Sequence, residues 1–164
     1  MVLYSLENIY SHLEKTGSTI RLMFFDFCSA FNTLQPHLLV QKLLNMKLPS
    51  SVISWIFDYL TSRLQYIRLN GLLSSAITSI NNSTNTGTPQ GTVLAPFLFA
   101  LYTADCRSTE EPCPLVKFAD DIELVGKIGT DEDALYHKQI ENFVNWCDKN
   151  YLYLNVSPNE RDVY

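Results

Sequence analysis

The chain alternates between apolar positions at helical spacing and short apolar runs. Leu3, Leu6, Ile9, Tyr10 and Leu13 recur every three or four residues, with Ser5 as a candidate cap, so the chain is expected to open with an amphipathic helix ending near Gly17. Residues 21–27, RLMFFDF, are almost wholly apolar and fit a central strand buried on both faces. Leu38, Leu39, Leu43 and Leu44 predict a helix over Pro36–Met46, and Ser50 is expected to cap another that carries Val52, Ile53, Ile56, Phe57 and Leu60. These two helices are expected to cover one face of a sheet. Leu64–Leu69 and Leu72–Ile80, split by Asn70-Gly71, predict a hairpin with an Asn-Gly turn. Gly87-Thr88-Pro89-Gln90-Gly91 is a glycine-bearing loop leading into an apolar helix over Val93–Thr103. A helix starting at Thr130 or Asp131 runs to about Lys149, with Leu135, Ile140, Phe143, Val144 and Cys147 inward, and Tyr151–Val156 alternates as a last strand ended by Pro158.

One stretch stands out chemically. Phe118-Ala119-Asp120-Asp121 lies between Pro114-Leu115-Val116 and the apolar Ile122 and Leu124-Val125, which predicts strand, tight turn, strand, with both acids at a sheet edge. Adjacent like charges repel, and an apolar setting raises that cost unless a cation or strong donors neutralise them. Asp26 poses the same problem at the end of its apolar run. Taken singly, each has a plain alternative: a solvated Asp-Asp turn, and a buried carboxylate held by protein donors. Taken together, strands interleaved with helix pairs and ending in carboxylates predict an α+β fold, its antiparallel sheet covered by helices on one face and working on the other. Three acidic oxygen donors from Asp26, Asp120 and Asp121 suit Mg²⁺. That donor set points to two-metal phosphoryl or nucleotidyl transfer, with two ions roughly 3.5–4 Å apart.

Composition narrows the partners. At 164 residues and 46% hydrophobic content the chain has enough apolar material for one domain. Its net charge of −5, from 12 Lys+Arg against 17 Asp+Glu, argues against a free-standing nucleic-acid binder. Arg63 and Arg68 flank the hairpin, where a phosphate contact or simple solubilisation is open. Cys28, Cys106, Cys113 and Cys147 form no CxxC pair, and His12, His37 and His137 are scattered, so no zinc site is expected. With no signal-like start and no apolar run near the roughly 20 residues that span a bilayer, an intracellular location, nuclear or cytoplasmic, and no membrane partner are expected.

FDFCSAFN, TPQGTVLAPFLFALYTADC and KFADD occur in the order and spacing of reverse transcriptase palm motifs. The chain resembles that family over about residues 20–157, most closely the non-long-terminal-repeat (LINE-like) retrotransposons. The resemblance implies an RNA-directed DNA polymerase domain, specifically its palm region, using two Mg²⁺ ions (Mn²⁺ as substitute) and acting on an RNA template, a DNA primer and a dNTP. It implies that Asp26 and Asp120 are the main metal-binding acids, with Asp121 less directly engaged. Phe31, five residues after Asp26, resembles the aromatic gate that excludes a 2′-hydroxyl by a clash. Gln90 and Gly91 resemble the pair lining the nucleotide and template pocket, and backbone N–H groups from Phe27 to Ala30 would face the triphosphate as a nest.

Departures from the family pattern are Asn32 in place of a second acid, Ile122 after the double acid, and Ser157-Pro158-Asn159 where a lysine assists pyrophosphate departure, with Arg161 as a speculative substitute. Most of the fingers and the thumb are expected to be absent. Weak nucleic-acid binding and little or no polymerase activity are therefore expected of the isolated chain. Alternatives are a non-catalytic retrotransposon remnant serving as an interaction module, and a metal-dependent nuclease using the same acids.

Overall fold

A computed structural model of the chain describes residues 9–14, 19–61, 64–75, 77–78, 86–89, 91–111, 113–128 and 133–155. The backbone divides into two compact units, Met1–Ala30 with Thr103–Tyr164, and Phe31–Tyr102.

The first unit is built on a three-stranded antiparallel sheet. Strand β1 (Thr19–Phe25), β6 (Leu115–Phe118) and β7 (Asp121–Ile128) are ordered β1-β7-β6, and β1 pairs with β7 from Thr19↔Ile128 to Phe25↔Ile122. Helix α5 (Asp133–Lys149) covers one face. Its Tyr136 and Ile140 pack with Cys113 and Leu124, flanked by Met23, Phe25, Leu115 and Val144, and the Phe25 and Phe143 rings lie 4.5 Å apart. Gln139, also buried, accepts hydrogen bonds from the N–H groups of Thr109 and Glu110 at 2.9 and 3.2 Å and so ties the 108–110 loop to α5. This confirms the mixed fold of helices and antiparallel sheet, with α5 on one sheet face.

Two expectations change. β1 is an edge strand, not a central one, and Leu22 and Phe24 on its outer face are exposed, Phe24 by 69%. An apolar run records that both faces are apolar, not that both are covered. The last strand shrinks to a single bridge, Phe27↔Leu154, although the expected alternation survives: Leu152 is buried while Tyr151 and Tyr153 are exposed. Residues 9–13 are helical as expected; Leu3, Leu6, the start of α5 before Asp133, and residues 156–164, with Pro158 and Arg161, lie outside the described residues.

A four-residue helix α1 (Ala30–Thr33) begins at the last residue of the first unit's opening segment, and the second unit holds the rest of it with α2 (Pro36–Asn45), α3 (Ser50–Leu60) and α4 (Leu94–Tyr102). The two helices expected to cover a sheet face meet each other here, and α2 meets α4, burying Leu39, Leu43, Ile53, Ile56, Leu60, Leu98 and Phe99. Pro49 rather than Ser50 occupies the cap of α3, with Ser50 as the first helical residue. Lys42 closes α4 by donating to the Tyr102 carbonyl at 2.7 Å, its ammonium 4.8 Å from the Tyr102 ring centre. The hairpin forms as β3 (Arg68–Leu69) and β4 (Leu72–Leu73), preceded and followed by the paired β2 (Leu64–Gln65) and β5 (Ile77–Thr78). Asn70 and Gly71 both have positive φ, 48° and 82°, the pattern of a type I′ turn.

Candidate active site at the acidic turn

The acidic turn is the loop of the β6–β7 hairpin. Phe118 pairs with Asp121, leaving Ala119 and Asp120 as its two connecting residues. Ala119 has φ +55°, a left-handed conformation that costs a non-glycine residue about 1–2 kcal/mol. Such strain is retained where surrounding structure over-determines it.

Register carries the first strand to this turn. Continued one step beyond Phe25↔Ile122, the β1–β7 ladder sets Asp26 level with Asp121. Residues opposite one another in an antiparallel pair project from the same face, here the face of Phe24 and Phe118, opposite α5. The backbone therefore brings Asp26, Asp120 and Asp121 to one end of one sheet. Asp26 and Asp121 are exposed and Asp120 half-buried, so the expected apolar setting is absent and water screens the repulsion between them. Phe118 is also exposed, by 64%, whereas Glu123 and Val125 farther along the same face are buried.

Asp26 is held from an unexpected quarter. Beyond Phe25 the ladder with β7 ends, and the segment after α5 takes over: the Asn155 backbone N–H donates to the Asp26 carbonyl at 2.8 Å, and the Asn155 amide Nδ2 donates to Asp26 Oδ2 at 3.0 Å. The Cys28 N–H donates to the Tyr153 carbonyl at 2.8 Å, and buried Phe27 bridges to Leu154. A cavity of about 560 Å³ opens beside this clamp, lined in part by Asp26, Phe25, Val144, Asp148 and Asn155. At its base, burial pushes the Cys147 thiol well above its ordinary range, with Cys106 and Asp148 adding to the effect. Burial thus favours its neutral thiol over the reactive thiolate.

Among the described residues no three His, Cys, Asp or Glu side chains converge closely enough to enclose a metal ion. For Mg²⁺ this is no obstacle in principle, because that ion keeps several waters and is usually held by one or two carboxylates plus substrate phosphates. Exposed carboxylates at one sheet end supply hard oxygen donors of the required type, and Asn155 leaves most of the roughly four lone-pair sites of the Asp26 carboxylate available.

The residues expected around a nucleotide divide between the units. Phe27 is buried against Phe143, ring centres 6.4 Å apart, and Ala30 is buried at the start of α1. Ser29 between them has φ +54°, which turns the chain, but the Cys28 N–H is already committed to Tyr153, so the expected nest loses one of its donors. In the second unit Phe31 is half-buried with its ring 5.4 Å from Phe99. Gly91 has φ +76°, and among the described residues beyond its chain neighbours no atom lies within 4 Å of where a Cβ would stand; Gln90 lies outside the described residues, as does Arg63.

Two residues were missed. Asn155 gave no signal beyond being a polar position in an alternating stretch. Gly87 reads in the sequence only as part of the glycine-bearing loop before a helix, yet it is where backbones meet: its N–H donates to the Leu34 carbonyl and that of Thr88 to the Phe31 carbonyl, both at 2.7 Å.

The family model described as "Reverse transcriptase (RNA-dependent DNA polymerase)" matches residues 3–157. No curated protein sequence matched the chain. Among solved structures, a Candida tropicalis telomerase in complex with a telomeric RNA fragment aligns at a TM-score of 0.66 and 11% identity, covering 94% of this chain and 27% of that one. The apo telomerase of the same organism aligns at 0.62 and 13%, covering 93% and 30%, and a Candida albicans telomerase at 0.54 and 18%, covering 94% and 30%. At these identities the likeness is one of fold, and the chain spans under a third of the length of each telomerase.

Proposed function

The chain belongs to the reverse transcriptase (RNA-dependent DNA polymerase) family, and on that premise we propose that it is the palm region of a longer RNA-directed DNA polymerase of the LINE-like, non-long-terminal-repeat type. What supports this reading is the β1–β7 register, which ends at Phe25↔Ile122 and, continued by one step, would set Asp26 level with Asp121. The subtype rests on the motif resemblance alone.

In this reading Asp26 and Asp120, with Asp121 as the less direct partner, would hold two divalent ions, Mg²⁺ by preference. When bound, the ions supply activation of a primer 3′-hydroxyl and neutralisation of charge on the departing pyrophosphate. The motif resemblance gives Phe31, braced by Phe99, the role of rejecting a 2′-hydroxyl by steric conflict, and gives Gly91, beside Gln90, that of allowing close approach to the backbone. Backbone groups of Phe27 and Ala30 orient the triphosphate. The RNA template and DNA primer need cationic contacts that a chain of net charge −5 does not supply, so their grip is assigned to other parts of the longer protein.

Primer extension on an RNA template by the longer protein tests this. Asp26→Ala and Asp120→Ala are each expected to reduce nucleotide addition to background while leaving the melting temperature unchanged, since neither side chain is buried. Extension at the unmutated rate by either variant would overturn the assignment.

A further inference from the structure

We infer that Asn155 is a positioning residue that presents the Asp26 carboxylate to a divalent cation. It rests on the assignment of Asp26 as a metal ligand.

β7 supports β1 only as far as Phe25, so Asp26 stands one residue past the end of its ladder. An exposed aspartate there has free rotation about χ1 and χ2, and ordering it on metal binding costs conformational entropy. Asn155 acts on both parts of the residue: its N–H fixes the Asp26 carbonyl and its amide fixes Oδ2. Asn155 is itself held in place. Leu152 is buried, Leu154 bridges to Phe27, and the Tyr153 carbonyl accepts from Cys28. The donor therefore sits on a braced segment and not on a free tail. A carboxylate hydrogen-bonded through one oxygen keeps the other for a cation, the arrangement in which an outer partner orients a ligand without displacing the metal.

The side-chain bond can be removed alone. Asn155→Ala deletes Nδ2 but keeps the backbone N–H, so the clamp on the Asp26 carbonyl persists. Removal of such outer partners weakens metal binding by roughly 10- to 100-fold, and a solvent-exposed bond belongs at the lower end, about tenfold.

Mn²⁺ binding to the full 164-residue chain, followed by electron paramagnetic resonance of the free ion, gives a readout independent of polymerase activity. The expected result is a Kd raised about tenfold in Asn155→Ala, partly restored in Asn155→Gln, and a larger loss in Asp26→Asn, with the metal-free melting temperature of every variant unchanged. A Kd for Asn155→Ala equal to that of the unmutated chain, alongside a weakened Asp26→Asn, would overturn the role of Asn155 and leave the metal assignment standing. Unchanged binding in Asp26→Asn, or no Mn²⁺ binding at all, would overturn both. Should Asn155→Ala fail to fold, Asn155→Ser is read by the same criteria.

Discussion

Replacing Gly87 with alanine places a methyl group where the structure holds only backbone. The new Cβ would lie 2.8 Å from the Asn32 Cα, 2.9 Å from the Phe31 carbonyl oxygen and 3.0 Å from that of Asn32, at a φ of +83°. None of these atoms can swing aside as a side chain would. Left-handed φ costs a non-glycine residue about 1–2 kcal/mol. Forcing an extra carbon into a packed site adds about 1–3 kcal/mol, and the reduced freedom of the unfolded chain returns about 0.4–1 kcal/mol. The net loss is about 1–5 kcal/mol, with a middle value of about 3. Gly91→Ala is the internal control, since its φ of +76° brings the same strain but, among the described residues beyond its chain neighbours, no atom stands within 4 Å; its net cost is about 1 kcal/mol on the same terms. Urea unfolding of the two variants, compared at equal m-values, reads the difference as separated midpoints. Coincident midpoints would refute the close backbone approach. Because Thr88 next to Gly87 donates to the Phe31 carbonyl, the displaced loop is also expected to shift Phe31.

Further outcomes follow from individual contacts. Gly126→Ala drives a methyl group into the Tyr136 ring, with Cε2 2.7 Å away, and is expected to cost about 1–3 kcal/mol; a stability equal to or above that of the unmutated chain in urea would contradict the packing of Tyr136 on β7. Cys147 favours its neutral thiol in the fold, so its contribution is fully present below its ordinary pKa of 9.0 and is lost as pH rises, because only the unfolded chain releases the proton. Stability should fall above about pH 9 by up to about 1.4 kcal/mol per pH unit, a slope that Cys147→Ala removes; parallel pH profiles for the two proteins would argue against it. Phe31→Ala in the longer polymerase should raise ribonucleotide incorporation relative to deoxyribonucleotide, as measured by competing the two in primer extension, and unchanged sugar selectivity would remove the gate.

The elements legible in the sequence were those whose signal is local. The Asn70-Gly71 turn, the leucine spacing of α2, and the inward residues of α5 each depend on a handful of neighbours, and each forms as expected. Partnership was harder to see. Nothing in Pro36–Met46 or in Ser50–Leu60 says whether its apolar stripe meets a sheet or another helix, because both present a complementary apolar surface. Asn155 and Asp26 are separated by 129 positions, and their bond depends on where the chain emerges from α5, which no spacing encodes.

The side on which Asp26 projects depends on packing in the same way, and there fold and site become one question. A slip of β1 by one residue against β7 would turn Asp26 to the α5 face, away from Asp121. Polarity does not guard against that slip, since Leu22 and Phe24 are as apolar as Met23 and Phe25. Shape does: Met23 and Phe25 enter the cluster of Cys113, Leu124, Tyr136 and Ile140, and Phe25 meets the Phe143 ring at 4.5 Å, contacts that the slipped strand would have to rebuild with Leu22 and Phe24. The aromatic packing under the sheet thus selects the register, and the register in turn selects the face from which Asp26 can meet the acidic turn.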